Sequence, residues 1–519
     1  MITRRRLLGL AAAAALMARP PRAGAETPAR GGTLKVIGPE PWTFDPHAPH
    51  GGDGAVPLSS LVRRPLFRLG PDLTPMPDLA LRAEVSRGGR TYTISLRPGV
   101  RWDDRPPLRG REVVAEDARY SLERALRRAP RAARLGPVEA VEAADRHVLR
   151  IDLAEAFTPF LVGLAEPWAA LLPRELEDRA GDFRTAESLV GCGPFLLDRH
   201  EAGVKAVFTR NPGYHARPRP YLDRIEWLFI KERATQLSLF RAGQVDLPFH
   251  DGRLGRADAS ELHRANPAYP IAYWDGLGGR RLALRADRAP LGDVRVRRAL
   301  ALAIHRRRWV AELLGGHGIE DPGPVPAALR EWKLSGRALG DGARWLAHDP
   351  VLARRLLDEA GLGAGHRIRC AVAPGGGPDS AAELDRLSAG FREIGVELQA
   401  VAEEVGRIED ASWGPVEPAA EVDGHLYGAY RTGQPGNRSL VSDPRLDGLL
   451  DAQRRAGSRR ERKALIDDVQ RLVADQVYYL FPPAPQQIAS WAPWLRGYRP
   501  RASGDRGAQL ESVWIAPRP

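Results

Sequence analysis

Short strand patterns mix irregularly with helix patterns along the whole sequence, and this mixture limits the possible folds more than any other feature. Residues 31–38 form a mainly apolar run that opens and closes with glycine, and residues 91–97 alternate polar and apolar side chains before the Pro98-Gly99 turn. Runs of this kind that end at turn residues are typical of strands. Because helices lie between the strands without the strict alternation of a barrel, the sequence predicts an α/β fold.

Capping residues mark several of the helices. Asp293 and Asp349 each precede an apolar helical pattern as N-cap residues, and the second helix is expected to end at Gly361. Ser458 and Glu461 form a capping-box pattern. The pattern of residues 115–128 places four apolar side chains on one helical face, namely Ala118, Leu122, Ala125 and Leu126.

The length of 519 residues indicates more than one structural unit. At about 150 residues per domain, a chain of this length is expected to form two to four units. Only two cysteines are present, Cys192 and Cys370, and nothing in the sequence brings them within bonding distance. We therefore expect packing to stabilise a fold with more than one lobe, and each cysteine to be a buried apolar residue.

The first 25 residues have the pattern of an export signal. Arg4, Arg5 and Arg6 precede an apolar run too short to span a bilayer, and residues 23–25 are small. The order Thr-Arg-Arg-x-Leu-Leu also resembles the twin-arginine export motif, although an ordinary secretory signal remains an alternative. The sequence predicts a signal peptide over residues 1–25 and a soluble, periplasmic mature protein.

The net charge of +12 does not indicate a nucleic-acid partner. Five of the positive charges lie in residues 1–25, and acidic residues are interspersed with basic ones elsewhere, as in residues 459–468. A nucleic-acid binder usually concentrates its positive charge on one face or in a known motif. We interpret the charges as a solvated surface and predict no binding of nucleic acid.

The sequence contains no recognisable catalytic motif. It lacks Gly-x-Ser-x-Gly, a phosphate-binding loop, His-Glu-x-x-His and Cys-x-x-Cys. His47 and His50 form the closest histidine pair, but Pro49 between them favours a loop over a preformed metal site. We predict a protein that is not an enzyme and that holds neither a metal nor a cofactor, with a secreted hydrolase as a less favoured alternative.

Several segments occur in an order that resembles one known family. The segments are residues 77–80 (Pro-Asp-Leu-Ala), 91–102 (a strand followed by Pro-Gly-Val-Arg-Trp), 115–126, 191–195 (Gly-Cys-Gly-Pro-Phe) and 293–304. This order resembles the dipeptide-, oligopeptide- and nickel-binding family of solute-binding proteins that serve ABC importers. The resemblance extends over nearly all of residues 30–519.

The resemblance implies a two-lobed clamshell of type II, with mixed sheets flanked by helices. Lobe I would comprise residues 26–270 and 484–519, and lobe II residues 271–483. The chain would cross twice between the lobes, near residues 273–274 and 481–483. A peptide or another small solute would bind between the lobes, which close by hinge motion. A monomer would then deliver the solute to the permease subunits of the importer.

The resemblance also implies a ligand-binding loop in lobe II. In peptide-binding relatives this loop carries an Asp for the peptide ammonium, and it aligns here with residues 427–437. Arg431 takes the position of that Asp, beside Tyr427, Gly428, Ala429 and Tyr430. Because an arginine suits a carboxylate or phosphate, we predict a ligand that is not an ordinary peptide with a free amino terminus.

Other interpretations of the site remain open at this point. Arg431 could instead point to solvent, and the ligand could be a peptide, a modified peptide, another anionic solute or a chelated metal. By the same resemblance, lobe I would contribute residues after its first strand, near His47, Pro49 and His50.

Overall fold

The computed structural model describes residues 27–48, 52–180, 183–248, 254–374, 377–404 and 409–518. The predicted signal peptide, residues 1–25, lies outside these ranges. Within them, no helix combines the length and the apolar character needed to cross a membrane.

The strands of the described chain are short. In chain order they are β1 (Thr33–Ile37), β2 (Phe67–Leu69), β3 (Pro75–Pro77), β4 (Ala80–Ser86), β5 (Thr91–Leu96), β6 (Val138–Asp145), β7 (Val148–Leu153), β8 (Phe195–Glu201), β9 (Lys205–Arg210), β10 (Arg224–Leu228), β11 (Ile271–Trp274), β12 (Gly279–Leu284), β13 (Gly318–Ile319), β14 (His366–Val372), β15 (Val396–Ala402), β16 (Ala411–Val416), β17 (Tyr479–Leu480), β18 (Ala484–Pro485), β19 (Gln487–Ser490), β20 (Leu495–Arg496) and β21 (Trp514–Ile515).

Helices lie between the strands throughout. They are α1 (Gly52–Val62), α2 (Ala115–Arg128), α3 (Phe160–Gly163), α4 (Arg174–Ala180), α5 (Arg233–Arg241), α6 (Arg256–Ala265), α7 (Val294–Leu302), α8 (Arg306–Glu312), α9 (Pro350–Glu359), α10 (Gly377–Glu393), α11 (Val422–Tyr430), α12 (Pro444–Arg455), α13 (Arg459–Gln476) and α14 (Arg506–Leu510). Short 3-10 segments occupy Pro130–Leu135, Pro167–Ala169, Ala186–Ser188 and Gly336–Leu346.

A four-stranded sheet in the order β1-β10-β9-β8 is built from the early part of the chain. Strand β1 runs parallel to β10, and the other pairs are antiparallel. Leu34 and Val36 of β1 are buried against Trp227 of β10 and its neighbours. The end of the chain packs on the same core, since the backbone N–H of Gly507 in α14 donates to Ser60 Oγ in α1 at 3.1 Å.

A second four-stranded sheet, β4-β5-β7-β6, is antiparallel throughout and packs against α2. Ala118, Leu122 and Ala125 of α2 are buried, as the apolar pattern predicts. The prediction for Leu126 is wrong, because its side chain is 36% exposed. At 3.6 residues per turn, Leu126 lies about 80° around the helix from Ala118 and so falls at the edge of the buried stripe.

A five-stranded mixed sheet in the order β15-β14-β16-β12-β17 forms the core of the later part of the chain. Strand β14 runs parallel to both neighbours, whereas β12 is antiparallel to both of its own. Cys370 in β14 is buried in this core, and Cys192 is buried in the core of the earlier part. Both thiols are free, and the expectation that each cysteine is buried is confirmed.

Two adjacent crossings connect these parts. Strands β11 and β19 form an antiparallel pair beside the first sheet's core. After β11 the chain enters the five-stranded sheet through β12, and it returns to β19 after β17. We call the part before β11 and after β19 lobe I, and the part from β12 to β17 lobe II. The exact boundaries at residues 270/271 and 483/484 stay a prediction.

Candidate functional site

A cavity of about 1050 Å³ lies between the lobes beside the two crossings. Its lining comes from both lobes and from the crossing segments: Pro39, Val56, Pro57, Arg131, Arg256, Trp274, residues 276–280, Leu313, Leu314, Asp379, Ala382, Glu383, residues 415–418 and 482–485, Gln487, residues 501–504 and Arg506. Its size falls at the upper end of the range for small-molecule sites. We call it the first cavity.

A second cavity of about 890 Å³ adjoins the first. It is lined by residues 71–75, Thr158, Leu161, Val162, Trp274, Asp275, residues 328–332, Ala420, Glu421, residues 456–459, Arg462 and residues 499–502. Trp274, Arg501 and Ala502 line both cavities. These three residues therefore stand where the two cavities meet.

Positive charge dominates the first cavity. Among its described lining residues are five arginines, at positions 131, 256, 280, 501 and 506, and three acids, at positions 379, 383 and 417. Some of these charges are already partnered. Arg280 pairs with Glu383 at 2.9 Å, and an Nη of Arg256 donates to the carbonyl of Leu313 at 2.8 Å across the lobes.

The carboxyl group of Glu383 in α10 has a raised pKa. Burial raises its pKa to about 7, since loss of water around the carboxylate outweighs the attraction of Arg280. The nearby Asp379 adds to the effect, whereas Arg256 opposes it. The charge of this wall of the cavity therefore changes near neutral pH.

Arg131 and Arg501 are the two lining arginines of the first cavity for which the described part of the chain shows no direct polar partner. Within the described residues, neither guanidinium has a hydrogen bond or an ion pair. Burial lowers the pKa of Arg501 below its ordinary value, and the positive charge of Arg68 adds to this effect. A partly buried guanidinium in a cavity wall can provide a planar fork of donors to a carboxylate or phosphate.

The loop that carries Arg501 is anchored by buried charge. Asp505 caps α14 by accepting from the backbone N–H of Ala508 at 2.8 Å, and it also pairs with Arg64 at 3.0 Å. Arg64 is fully buried in lobe I and pairs with Asp78 as well. This loop is therefore fixed to lobe I close to the residues that face the cavity.

The structure places Arg431 at the end of α11, outside the lining of both cavities. Its guanidinium pairs with Asp447 at 3.0 Å and with Asp451 at 3.1 Å, both in α12. These pairs raise its pKa further. Arg431 thus joins α11 to α12, and its contact with a ligand stays a prediction.

The neighbours of Arg431 are largely committed to packing. Tyr430 is 1% exposed and meets Tyr479 edge to face, with ring centroids 5.0 Å apart. The carbonyl of Ala429 accepts from the hydroxyl of Tyr479 at 2.7 Å. The guanidinium of Arg454 stacks 3.0 Å from the ring centroid of Tyr427. None of these residues, nor Gly428, is among the described residues that line the two cavities.

His47 is buried in lobe I beside a buried ion pair. An Nη of Arg124 lies 3.0 Å from His47 Nδ1, and Arg124 also pairs with Asp45 at 2.7 Å. Burial lowers the pKa of His47 to about 3, so the ring is neutral and Nδ1 accepts from the guanidinium. His47 is absent from the described lining of both cavities, and Pro49 and His50 lie outside the described residues.

A metal site is not evident in the described part of the chain, where no three His, Cys, Asp or Glu residues come together in a suitable cluster. None of the described residues that line the two cavities was among the predicted site residues, and Arg131 and Arg501 stand out in this lining. Both occur in arginine-rich stretches, and only the folded chain distinguishes an arginine without a counter-ion from its many paired neighbours.

A family model described as "Bacterial extracellular solute-binding proteins, family 5 Middle" matches residues 74–416, about two thirds of the chain. The chain belongs to this family. The resemblance inferred from the ordered segments is therefore confirmed, and the protein is a solute-binding protein of family 5.

Several named relatives align with most of this chain. The nickel-binding periplasmic protein of Escherichia coli is 26% identical over 453 residues, which span 81% of this chain and 83% of that protein. Di/tripeptide-binding protein 2 of Pseudomonas aeruginosa is 24% identical over 470 residues, or 82% of this chain and 84% of that protein.

A solved structure supports the fold. The periplasmic binding protein DppA of Helicobacter pylori, in complex with a peptide, aligns with a TM-score of 0.74 at 20% identity and covers 94% of this chain and 98% of that one. The prediction of an α/β, two-lobed type II binding-protein fold with two hinge crossings is therefore confirmed.

Proposed function

We propose that this family-5 protein captures a peptide or peptide-like solute in the first cavity and delivers it to the permease of an ABC importer. The observation that carries the proposal is the cavity of about 1050 Å³ between the lobes, lined by both of them and by the crossing segments. A solute in this position contacts both lobes and the crossing segments, which are the parts that move relative to one another when a hinged protein closes. The solute is bound and released without any bond being broken.

The charges of the first cavity suit a zwitterion. Arg131 and Arg501 can receive a carboxylate, while Asp379 and the largely exposed Glu417 can receive an ammonium group. A peptide or amino-acid derivative carries both groups. The name of the di/tripeptide-binding relative supports a solute of this class.

Contacts between the lobes at the edge of the cavities support closure around the solute. The backbone N–H of Thr158 in lobe I donates to the carbonyl of Arg454 in lobe II at 2.7 Å, and its hydroxyl donates to the carbonyl of Ala456 at 3.1 Å. These bonds require the lobes to be close together. In this proposal the closed form holds the solute and is the form that docks on the permease.

The remaining parts of the proposal concern location and assembly. Residues 1–25 direct the protein to the periplasm, where it acts as a soluble monomer and docks on the permease subunits. The predicted binding role of Tyr427, Gly428, Ala429, Tyr430, Arg431, His47, Pro49 and His50 is retained as a proposal, secondary to the residues that line the first cavity.

Two measurements test the function. Mass spectrometry of small molecules released by denaturing the purified protein is expected to yield a peptide or amino-acid derivative. Calorimetry of ligand-depleted protein with a library of dipeptides, tripeptides and tetrapeptides is expected to detect binding in the micromolar range or tighter, with unchanged peptides recovered after incubation. Release of hydrolysed peptides would support the alternative of a secreted hydrolase, and absence of any peptide binding would contradict the proposal.

A further inference from the structure

Arg501 lies at the point where the two cavities meet. It lines the first cavity together with Trp274 and Ala502, and the same three residues line the second cavity. Trp274 is the last residue of β11, and Arg501 lies in the loop anchored through Asp505 to the buried Arg64. A group bound at this guanidinium is therefore held at the junction of the two cavities by a fixed part of lobe I.

The other arginines of the second cavity have partners or contact water. Arg459 pairs with Glu331, Arg462 with Glu421 at 2.7 Å, and Arg330 approaches Asp275 at 3.8 Å. Arg499 is exposed, so water screens its charge. Arg501 is partly buried and, within the described residues, has neither an ion pair nor a hydrogen bond. Because it has no existing pair to give up, it is the cation at this junction best placed to bind an anionic group of the ligand.

Beyond Arg501 the second cavity has an apolar wall. Leu161 and Val162 of α3 face it from lobe I, and Ala328, Leu329 and Trp332 face it from lobe II. These side chains pack against the large apolar core that both lobes share. Because the acids and bases of this cavity largely pair with one another, its remaining wall favours an apolar group of the ligand.

We propose that Arg501 binds a carboxylate of the solute at the junction of the two cavities, and that an apolar group next to this carboxylate extends into the second cavity. The solute class is thus a peptide-like acid with an apolar terminal side chain that lies in the second cavity while the rest of the solute lies in the first. This inference rests on the proposed function, because it assigns the part of the same solute that each cavity receives.

The experiment uses matched peptides as probes. Tripeptides that end in Phe or in Gly are compared as the free acid and as the carboxamide, by calorimetry on the ligand-depleted, full-length mature protein. The expected result is that the acid ending in Phe binds about 10- to 100-fold more tightly than its carboxamide, the range of a charge-assisted hydrogen bond. The acid ending in Gly is expected to bind more weakly than the acid ending in Phe.

Variants assign the effect to Arg501. Arg501→Gln is expected to remove the preference for the acid, and Arg501→Lys to keep part of it because lysine keeps the charge but not the planar fork. Arg496→Gln, an exposed arginine of β20 outside both cavities, is the matched control and should bind as the wild type does. Arg131→Gln, at another arginine of the first cavity without an ion pair or hydrogen bond to the described residues, is expected to keep the preference for the acid.

Each outcome decides between the claims. The assignment of Arg501 is overturned if the wild type binds the acid and the carboxamide equally. It is also overturned if Arg131→Gln removes the preference for the acid while Arg501→Gln keeps it. Both results leave the proposed function intact. Equal binding of the Phe and Gly acids overturns the assignment of the second cavity. Failure of every peptide to bind contradicts both the proposed function and this inference.

Discussion

Glu383 is a carboxyl group whose charge changes near neutral pH, because burial raises its pKa to about 7. Below that pH it is mostly neutral, and above it the first cavity gains a negative charge that repels a carboxylate ligand. The affinity for a free-acid peptide is therefore expected to fall by about tenfold, or about 1.4 kcal/mol, as the pH rises from about 6 to about 8. Glu383→Gln is expected to abolish this dependence.

The measurement is calorimetry across that pH range with an N-acetylated peptide, so that no ligand amine titrates. Glu393→Gln, at the exposed end of the same helix, is the matched control and should keep the pH dependence of the wild type. A pH profile that Glu383→Gln leaves unchanged would assign the titration to another group.

Arg431 gives a second prediction for a single residue. Its pairs with Asp447 and Asp451 are partly exposed, so Arg431→Ala is expected to lower the free energy of unfolding by about 0.5–1 kcal/mol. Peptide affinity distinguishes the two roles of Arg431, because it should stay within about twofold of the wild type when Arg431 only joins α11 to α12. Urea denaturation and calorimetry measure the two quantities.

A double-mutant cycle with Asp451→Asn shows whether the ion pair explains the stability change, since the second substitution should then add little to the first. A tenfold loss of peptide affinity in Arg431→Ala would instead support the binding role predicted from the sequence.

The sequence shows which residue types occur in a loop, but the pairing of Arg431 depends on the approach of α12. For the same reason Arg501 was indistinguishable from other arginines before the fold was known.

The contact between the segment before α3 and the end of α12 yields a prediction about an element. Thr158→Val removes the hydroxyl bond to the carbonyl of Ala456 and keeps the shape of the side chain. The closed form should lose about 0.5–1.5 kcal/mol, the scale of one hydrogen bond. We expect peptide affinity to fall by about 2- to 10-fold, mainly through faster dissociation, as measured by surface plasmon resonance.

The matched control is Thr432→Val, because the Thr432 hydroxyl donates to Val441 within lobe II rather than between lobes. Equal kinetics for Thr158→Val and the wild type would show that this contact does not contribute to closure. An equal effect of both variants would point to a general loss of stability.

The elements were the part of the fold that the sequence predicted best, because caps act locally. Asp293, Asp349 and Ser458 each accept a backbone N–H in the first turn of their helix, and Gly361 has a positive φ of 76° after α9. The capping box is only partly formed, since Glu461 accepts from Gly457 N–H rather than from the N–H of the cap residue.

Other element ends depend on tertiary packing. Helix α13 ends at Val477, whose φ of 50° lies in a region that β-branched residues avoid. Val477 is buried in the core of lobe II, next to the start of β17. Its conformation follows from the need to turn the chain into the sheet, which no local pattern indicates.

At the scale of the whole molecule, the two crossings predict closure on binding. Small-angle X-ray scattering is expected to give a smaller radius of gyration with a bound free-acid tripeptide than without it. The matching carboxamide, at a concentration at which its weaker binding leaves the protein mostly unoccupied, is the control and should leave the radius unchanged. Saturation by the tripeptide without any compaction would contradict hinge closure.

The lobes and crossings were predicted through the family resemblance, because pairing of β11 with β19 joins segments far apart in the sequence. The cavities were not predictable in this way. Their walls combine residues from β11, α10, β16 and the loop before α14, and the charge balance depends on which arginines find partners.

The first sheet of lobe I also has a consequence for biosynthesis. Leu495 and Val513 are buried in the same core as Leu34 and Trp227, so this core draws on both ends of the described chain. A ribosome translates all of lobe II before it reaches those last segments. Lobe II can therefore fold on the nascent chain, whereas the first lobe to be translated is the last to be completed. Until those segments emerge, the apolar side chains of the first sheet lack the packing partners that Leu495 and Val513 provide.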